Sequence, residues 1–181
     1  AAMAKAKLNT PQDKVTPRVY VLDFKGSMDA HEVASLREEV TAVLAVATPQ
    51  DQVVVRLESP GGVVHGYGLA ASQLQRLREK QIPLTVAVDK VAASGGYMMA
   101  CVANKIVAAP FAILGSIGVV AQIPNLNRFL KNKDIDVELH TAGQYKRTLT
   151  LLGEKTDEGR QKFREELNET HHVFKDFVKT M

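Results

Sequence analysis

The chain has 181 residues, enough for one domain with a sizeable core, and its mean hydropathy of −0.09 is typical of a soluble globular protein. The net charge of +3 comes from 23 basic and 20 acidic residues that are interspersed, and only 6% of residues are aromatic, so nucleic-acid binding is disfavoured. No apolar run reaches the roughly 20 residues of a membrane span, and the single cysteine excludes an intrachain disulfide and a cysteine-based zinc cluster.

Strand and helix patterns alternate along much of the chain. Residues 1–17 are polar and are expected to form an N-terminal tether, and residues 18–181 to form the folded domain. The predicted strands are residues 18–24, 53–57, 84–88 and 105–108, and the predicted helices are residues 29–47, 64–80 and 96–101. Asp29 and Glu32 resemble a capping box that opens the first helix. This alternation predicts an α/β fold with a parallel sheet covered by helices.

The patterns after Pro110 predict shorter elements and one long helix. They are a turn entering an extended segment at 115–120, a helix at 125–133, a strand at 137–141, a loop or helix start at 143–147, and a helix at 157–181. One face of the last helix carries Phe163, Leu167, Phe174, Phe177 and Met181. We expect that apolar face to pack on its own sheet or on a neighbouring subunit.

Ser94 lies where a buried strand is predicted to turn sharply into a helix. The surrounding small residues resemble the nucleophile elbow G-x-S-x-G, with Ala92 in place of the first glycine. A serine at this position can be a nucleophile, or it can merely cap the helix. A second glycine-rich turn, at Gly61 and Gly62, follows the preceding strand. Both turns should meet at one sheet edge, where N–H groups of Gly61 or Gly62 and of Gly95 could stabilise an oxyanion.

A serine nucleophile also needs a general base, and the sequence offers several. His65 follows the glycine pair and His140 ends a predicted strand, whereas the other three histidines lie on helix faces expected to be exposed. Lys146 lies beside an aromatic residue in a predicted loop, and a desolvated lysine can accept a serine proton. The residues alone leave His65, His140 and Lys146 as candidates.

Four motifs in this order resemble the protease IV/signal peptide peptidase A family, and within it the SohB-type peptidases. They are SPGG at 59–62, AASGGY at 92–97, GSIGV at 115–119 and GQYKR at 143–147. The resemblance implies a Clp/crotonase-like spiral of mostly parallel strands flanked by helices. It also implies a serine endopeptidase with Ser94 as nucleophile and Lys146 as general base. Ser116 would orient the lysine, and Gly61, Gly62 and Gly95 would form the oxyanion hole, with no cofactor and no metal.

The resemblance also implies a cellular setting. Family members are typically anchored in the bacterial inner membrane, with the catalytic domain in the periplasm and assembled as homo-oligomers that cleave apolar peptides such as leftover signal peptides. We therefore expect a soluble piece, truncated at both ends, of a protein whose anchor lies in a segment outside this chain.

Two other functions remain open at this point. A crotonase-like acyl-CoA enzyme would share the fold and the oxyanion hole, but it would bind coenzyme A and form no covalent serine adduct. A catalytically inactive ring-forming module would use the fold only for assembly, so that replacing Ser94 would change no activity.

Overall fold

The computed structural model describes residues 16–142 and 148–181 as six strands and five helices. The strands are β1 (Val19–Lys25), β2 (Gln52–Glu58), β3 (Leu84–Val88), β4 (Val91–Ala93), β5 (Lys105–Ala108) and β6 (Ile113–Gly115). The helices are α1 (Val33–Val46), α2 (Val64–Glu79), α3 (Gly95–Ala100), α4 (Asn127–Lys131) and α5 (Asp157–Thr180). Within these residues, no helix is both long and apolar enough to cross a membrane.

Four strands form a parallel sheet in the order β1-β2-β3-β5. Their β-branched and leucine residues alternate, so that Val53, Val55 and Leu57 of β2 are at most 2% exposed. These side chains share one face with Leu84 and Val86 of β3 and pack with α1 and α2 in the core. The α/β fold with parallel strands and flanking helices, predicted from the sequence, is therefore confirmed.

The sequence predicts that helices cover the sheet, but the opposite face of this sheet is exposed. Val19 and Val21 of β1 are more than half exposed, and Asp23 on the same face forms an ion pair with Arg56. Parallel sheets are commonly covered on both faces, but the described part of this chain covers only one.

A second, two-stranded parallel sheet pairs β4 with β6, and the sequence patterns do not predict it. The chain bends at Asp89 and Lys90, so the strand that leads to Ser94 is β4 and not β3 as expected. Ser59 connects the two sheets, because its N–H donates to Val91 O (2.9 Å) and its carbonyl accepts from Ala93 N–H (3.0 Å).

Two local predictions are wrong, and a third, a short helix, is present but shorter than predicted. Residues 137–141 form no strand, because their side chains are exposed and no described strand pairs with them. The helix predicted at 125–133 is limited to α4, since Asn125 instead donates to the carbonyls of Thr150 and Gly153. The capping box fails because Ala30 has a φ of 55°, which breaks the chain before α1, and Glu32 accepts hydrogen bonds from Ser27.

Helix α5 packs onto its own domain through its second half, where it lies against α3. Phe174 is 4% exposed and belongs to the core, and Phe177 and Met181 pack against the same core. Phe163 and Leu167, nearer the start of α5, are only half-buried. Thr156 caps the helix by accepting a hydrogen bond from Gly159 N–H at 3.0 Å.

We expect Phe174→Ala to destabilise the domain by about 3 kcal/mol, because it removes a buried aromatic ring and leaves a cavity. The matched control is Val173→Ala, since Val173 is 70% exposed and its loss should cost less than about 0.5 kcal/mol. Urea unfolding followed by circular dichroism measures both free energies. Equal stability of the two variants would contradict the docking of α5 through Phe174.

Candidate active site

Ser94 lies in the sharp turn between β4 and α3, as the elbow pattern predicts. Its φ of 52° and ψ of −120° are strained for a residue with a side chain, at a cost of about 1–3 kcal/mol. Its side chain makes no capping hydrogen bond to α3, which argues against the simple capping role. Backbone strain of this kind is commonly retained where it presents a reactive side chain.

The glycine turn, residues 60–62, contacts the serine turn, residues 94–96, without room for a side chain. A Cβ atom on Gly61 would lie 2.6 Å from Ser94 Cβ and 2.8 Å from both Ala93 O and Gly95 N. Gly61 also has a φ of +91°, which residues with a Cβ rarely adopt. A Cβ on Gly62 would lie 2.1 Å from Met28 O, so close backbone packing requires glycine at both positions.

The backbone N–H groups at the two turns have different partners. Gly61 N–H donates to Ser59 Oγ at 3.1 Å, and Ser94 N–H donates to Gly115 O at 2.8 Å. In residues 16–142 and 148–181, no hydrogen bond uses the N–H of Gly62 or of Gly95. Each of the two adjacent turns therefore keeps at least one N–H group available for an anion.

A groove of about 570 Å³ runs past Ser94. It is lined by the two serines Ser94 and Ser116 and by Met28, Pro60, Gly61, Gly62, Val63, Val64, Gly118, Val119 and Val120. Apart from the serines and the exposed backbone, the lining side chains are apolar. The groove is suited to an extended apolar chain with a reacting group beside Ser94.

Ser116 lies on the same groove as Ser94, which brings two of the predicted site residues together. It has a φ of 55° and follows Gly115, whose φ is +100°, so the chain turns tightly at the end of β6. Helix α5 supports this segment, because His171 Nε2 donates to Ile117 O at 3.1 Å.

The structure bears differently on each remaining candidate for the general base. Lys146 lies outside the described residues, so its role stays a prediction. His65 and His140 are exposed, do not line the groove, and His140 instead contacts Glu138. Cys101 is no alternative nucleophile, since burial raises the pKa of its thiol to about 11.

Sequence reasoning missed two buried polar residues beneath the glycine turn, Ser59 and Tyr67. Both are fully buried, and Ser59 Oγ lies 2.6 Å from the Tyr67 hydroxyl, which also donates to Ser27 O at 2.7 Å. Burial raises the pKa of Tyr67, so the phenol keeps its proton. The sequence signal that could have found this pair is a tyrosine on the inward face of the helix that directly follows the SPGG motif.

Sequence models of two linked families match almost the whole chain. The model "Peptidase family S49 N-terminal" matches residues 1–74, and "Peptidase family S49" matches residues 76–181. The chain belongs to peptidase family S49. This membership confirms the resemblance found in the four motifs and disfavours the crotonase-like acyl-CoA enzyme.

Relatives of this S49 chain include two probable proteases SohB. That of Haemophilus influenzae is 64% identical over 172 residues, covering 95% of this chain and 49% of the relative. That of Buchnera aphidicola subsp. Schlechtendalia chinensis is 66% identical over 165 residues, covering 91% of this chain and 54% of the relative. The chain thus spans about half the length of the curated relatives that it matches.

Solved structures of similar chains include a 1510-N membrane protease specific for a stomatin homolog from Pyrococcus horikoshii. That structure is 22% identical, with a TM-score of 0.45, and the match covers 54% of this chain and 49% of the other.

We expect Gly61→Ala to destabilise this S49 chain by more than about 2 kcal/mol, because alanine at positive φ is strained and its Cβ would meet backbone atoms. Gly68→Ala is the matched control, since a Cβ on Gly68 of α2 would meet nothing within 4 Å. That change should be neutral or stabilise the helix by up to about 1 kcal/mol. Urea unfolding compares the two, and a harmless Gly61→Ala would contradict the close contact between the turns.

Proposed function

We propose that this chain carries the active site of a serine endopeptidase in which Ser94 is the nucleophile. The observation that carries the proposal is the strained conformation of Ser94 on the wall of an apolar groove, held against Gly61. Membership of peptidase family S49 supports the same reaction class.

The oxyanion of the tetrahedral intermediate would be bound by the N–H groups of Gly62 and Gly95. This assignment is supported by the hydrogen bonds of the neighbouring amides, since Gly61 N–H is engaged by Ser59 and Ser94 N–H by Gly115. Gly61 would contribute by its lack of a side chain, which lets the glycine turn approach Ser94.

Lys146 is our candidate for the general base, with Ser116 orienting its amine. This role rests on the match of GQYKR to the family motif and on the exposure of His65 and His140 away from the groove. The neutral amine would take the Ser94 proton as Oγ attacks the peptide carbonyl, and the ammonium would then protonate the leaving amine. A water molecule, activated by the same amine, would hydrolyse the acyl-enzyme.

The substrates would be apolar peptides, such as leftover signal peptides, bound as an extended strand. The apolar lining of the groove, with Met28, Val63, Val64 and Val119, supports this substrate class. By family resemblance, the protein would act as a homo-oligomer anchored in the bacterial inner membrane, with the catalytic domain in the periplasm.

The first test is covalent labelling with a fluorophosphonate, followed by peptide mapping. We expect one adduct, on Ser94, and no labelling or peptide-ester hydrolysis by Ser94→Ala, because the nucleophilic oxygen is absent. Ser72→Ala, which removes a hydroxyl from α2 outside the groove, should label normally. Labelling at another residue, or normal hydrolysis by Ser94→Ala, would reject the proposal.

The second test concerns the base. We expect Lys146→Arg to be as inactive as Lys146→Ala, since arginine stays charged and cannot accept the serine proton. In the wild-type protein, the hydrolysis rate should rise with pH, because only the neutral amine accepts a proton. The rates of an apolar peptide ester measure both effects. Activity of Lys146→Arg near the wild-type level would exclude Lys146 as the base.

A further inference from the structure

A buried chain of hydrogen bonds lies beneath the glycine turn. Gly61 N–H contacts Ser59 Oγ at 3.1 Å, Ser59 Oγ contacts the Tyr67 hydroxyl at 2.6 Å, and that hydroxyl contacts Ser27 O at 2.7 Å. Ser59 and Tyr67 are both fully buried, so water cannot replace a missing partner without opening the fold.

The number of protons sets the direction of every bond in this chain. Ser27 O can only accept, so the single proton of the Tyr67 hydroxyl is donated there. Tyr67 must then accept from Ser59, and the Ser59 oxygen is left to accept from Gly61 N–H. All donors point the same way, from the glycine turn toward the Ser27 carbonyl in the loop after β1, and no hydroxyl can reverse without breaking this chain of hydrogen bonds.

The same two residues also contact the serine turn, Tyr67 through its ring and Ser59 through its backbone carbonyl. A Cβ on Gly95 would lie 2.3 Å from Cγ of Tyr67, so the ring packs directly on that backbone. A Cβ on Gly96 would lie 2.5 Å from the Ser59 carbonyl oxygen. Ser59 and Tyr67 therefore set the distance between the two turns as well as the orientation of the peptide at Gly61.

The peptide units on both sides of the Gly62 amide are held. Ser59 Oγ fixes the peptide between Pro60 and Gly61, and Met28 O accepts from Val63 N–H at 2.9 Å, which fixes the peptide between Gly62 and Val63. The Gly61–Gly62 peptide, whose N–H has no partner among the described residues, lies between these two.

We infer that Ser59 and Tyr67 are positioning residues, which orient the Gly62 N–H toward the oxyanion formed at Ser94. The inference rests on the proposed function, since it assigns Gly62 as an oxyanion donor. Ser59 acts by holding the Gly61 amide inward, and Tyr67 acts by accepting from the Ser59 hydroxyl, which holds Ser59 Oγ in the position that accepts from Gly61 N–H. Neither side chain lines the groove, so neither touches the substrate.

The experiment compares Ser59→Ala and Tyr67→Phe with the wild-type protein. We expect kcat for a peptide ester to fall about tenfold with KM within about twofold, less than the 10²–10³ lost with a donor itself, because the donor is misaligned and not removed. The fluorophosphonate labelling rate of Ser94 should fall in parallel. Both rates are divided by the amount of protein that labels at Ser94, so a variant that is only partly folded does not give a lower rate for that reason alone. The double variant should be no worse than the worse single variant, since both break one hydrogen-bond chain.

Two matched controls accompany these variants. Tyr20→Phe makes the same chemical change on β1, at the opposite end of the sheet, and Ser72→Ala makes the serine change on α2. Both should keep wild-type rates. Tyr67→Phe retains the ring that packs on Gly95, so this variant still tests the inference if Ser59→Ala fails to fold.

Amide hydrogen exchange by NMR gives a readout that needs no activity. The Gly61 amide should be protected in the wild-type protein and should exchange at least about tenfold faster in Ser59→Ala. Normal labelling rates and kcat in both variants, or unchanged Gly61 exchange, would overturn the positioning role while leaving Ser94 as the nucleophile. Absence of wild-type labelling at Ser94 would instead reject the proposed function, and with it the catalytic part of this inference.

Discussion

The close contact of Gly61 with Ser94 is the constraint on which the candidate site depends. With only 2.6 Å available to a Cβ atom, the glycine turn can approach the serine turn only because residue 61 has no side chain. The contact is maintained by backbone hydrogen bonds between Ser59 and β4, and these bonds connect the end of β2 to the strand that carries Ser94. Strain at Ser94 persists because the surrounding packing leaves the backbone no alternative.

That packing comes from the parallel sheet. β2 and β3 are neighbours, so their carboxyl ends lie at one edge, above side chains that are almost fully buried. At this edge Ser59 joins the end of β2 to β4, the strand that leads to Ser94. Tyr67, also at 0% exposure, extends this core up to the turns and replaces apolar contact with directed hydrogen bonds. The two turns of the site are thus supported directly by the most buried part of the domain.

The two walls of the groove are built differently. The wall with residues 60–64 belongs to the β2–α2 connection and is held by Ser59 and by Met28 O. The wall with residues 116–120 is more exposed, with Val120 at 92%, and is held by the bond of Gly115 O to Ser94 and by His171 of α5. Helix α5 itself is anchored by Phe174, so this second wall depends on a contact remote in sequence.

Local patterns determined much of this protein: the β-branched runs of the main sheet, the helices between them, the two glycine-rich turns and Ser94 as the candidate nucleophile all follow from residue types and spacing. Residues 137–141 alternate like a strand yet form none, because a strand needs a partner that local sequence cannot supply. For the same reason the pairing of β4 with β6 was not predictable. Only the tertiary structure decided that the Gly61 N–H donates inward to Ser59, while the N–H groups of Gly62 and Gly95 stay available for an anion. The orientation of the Gly61 N–H depends on where Tyr67 of α2 places its hydroxyl.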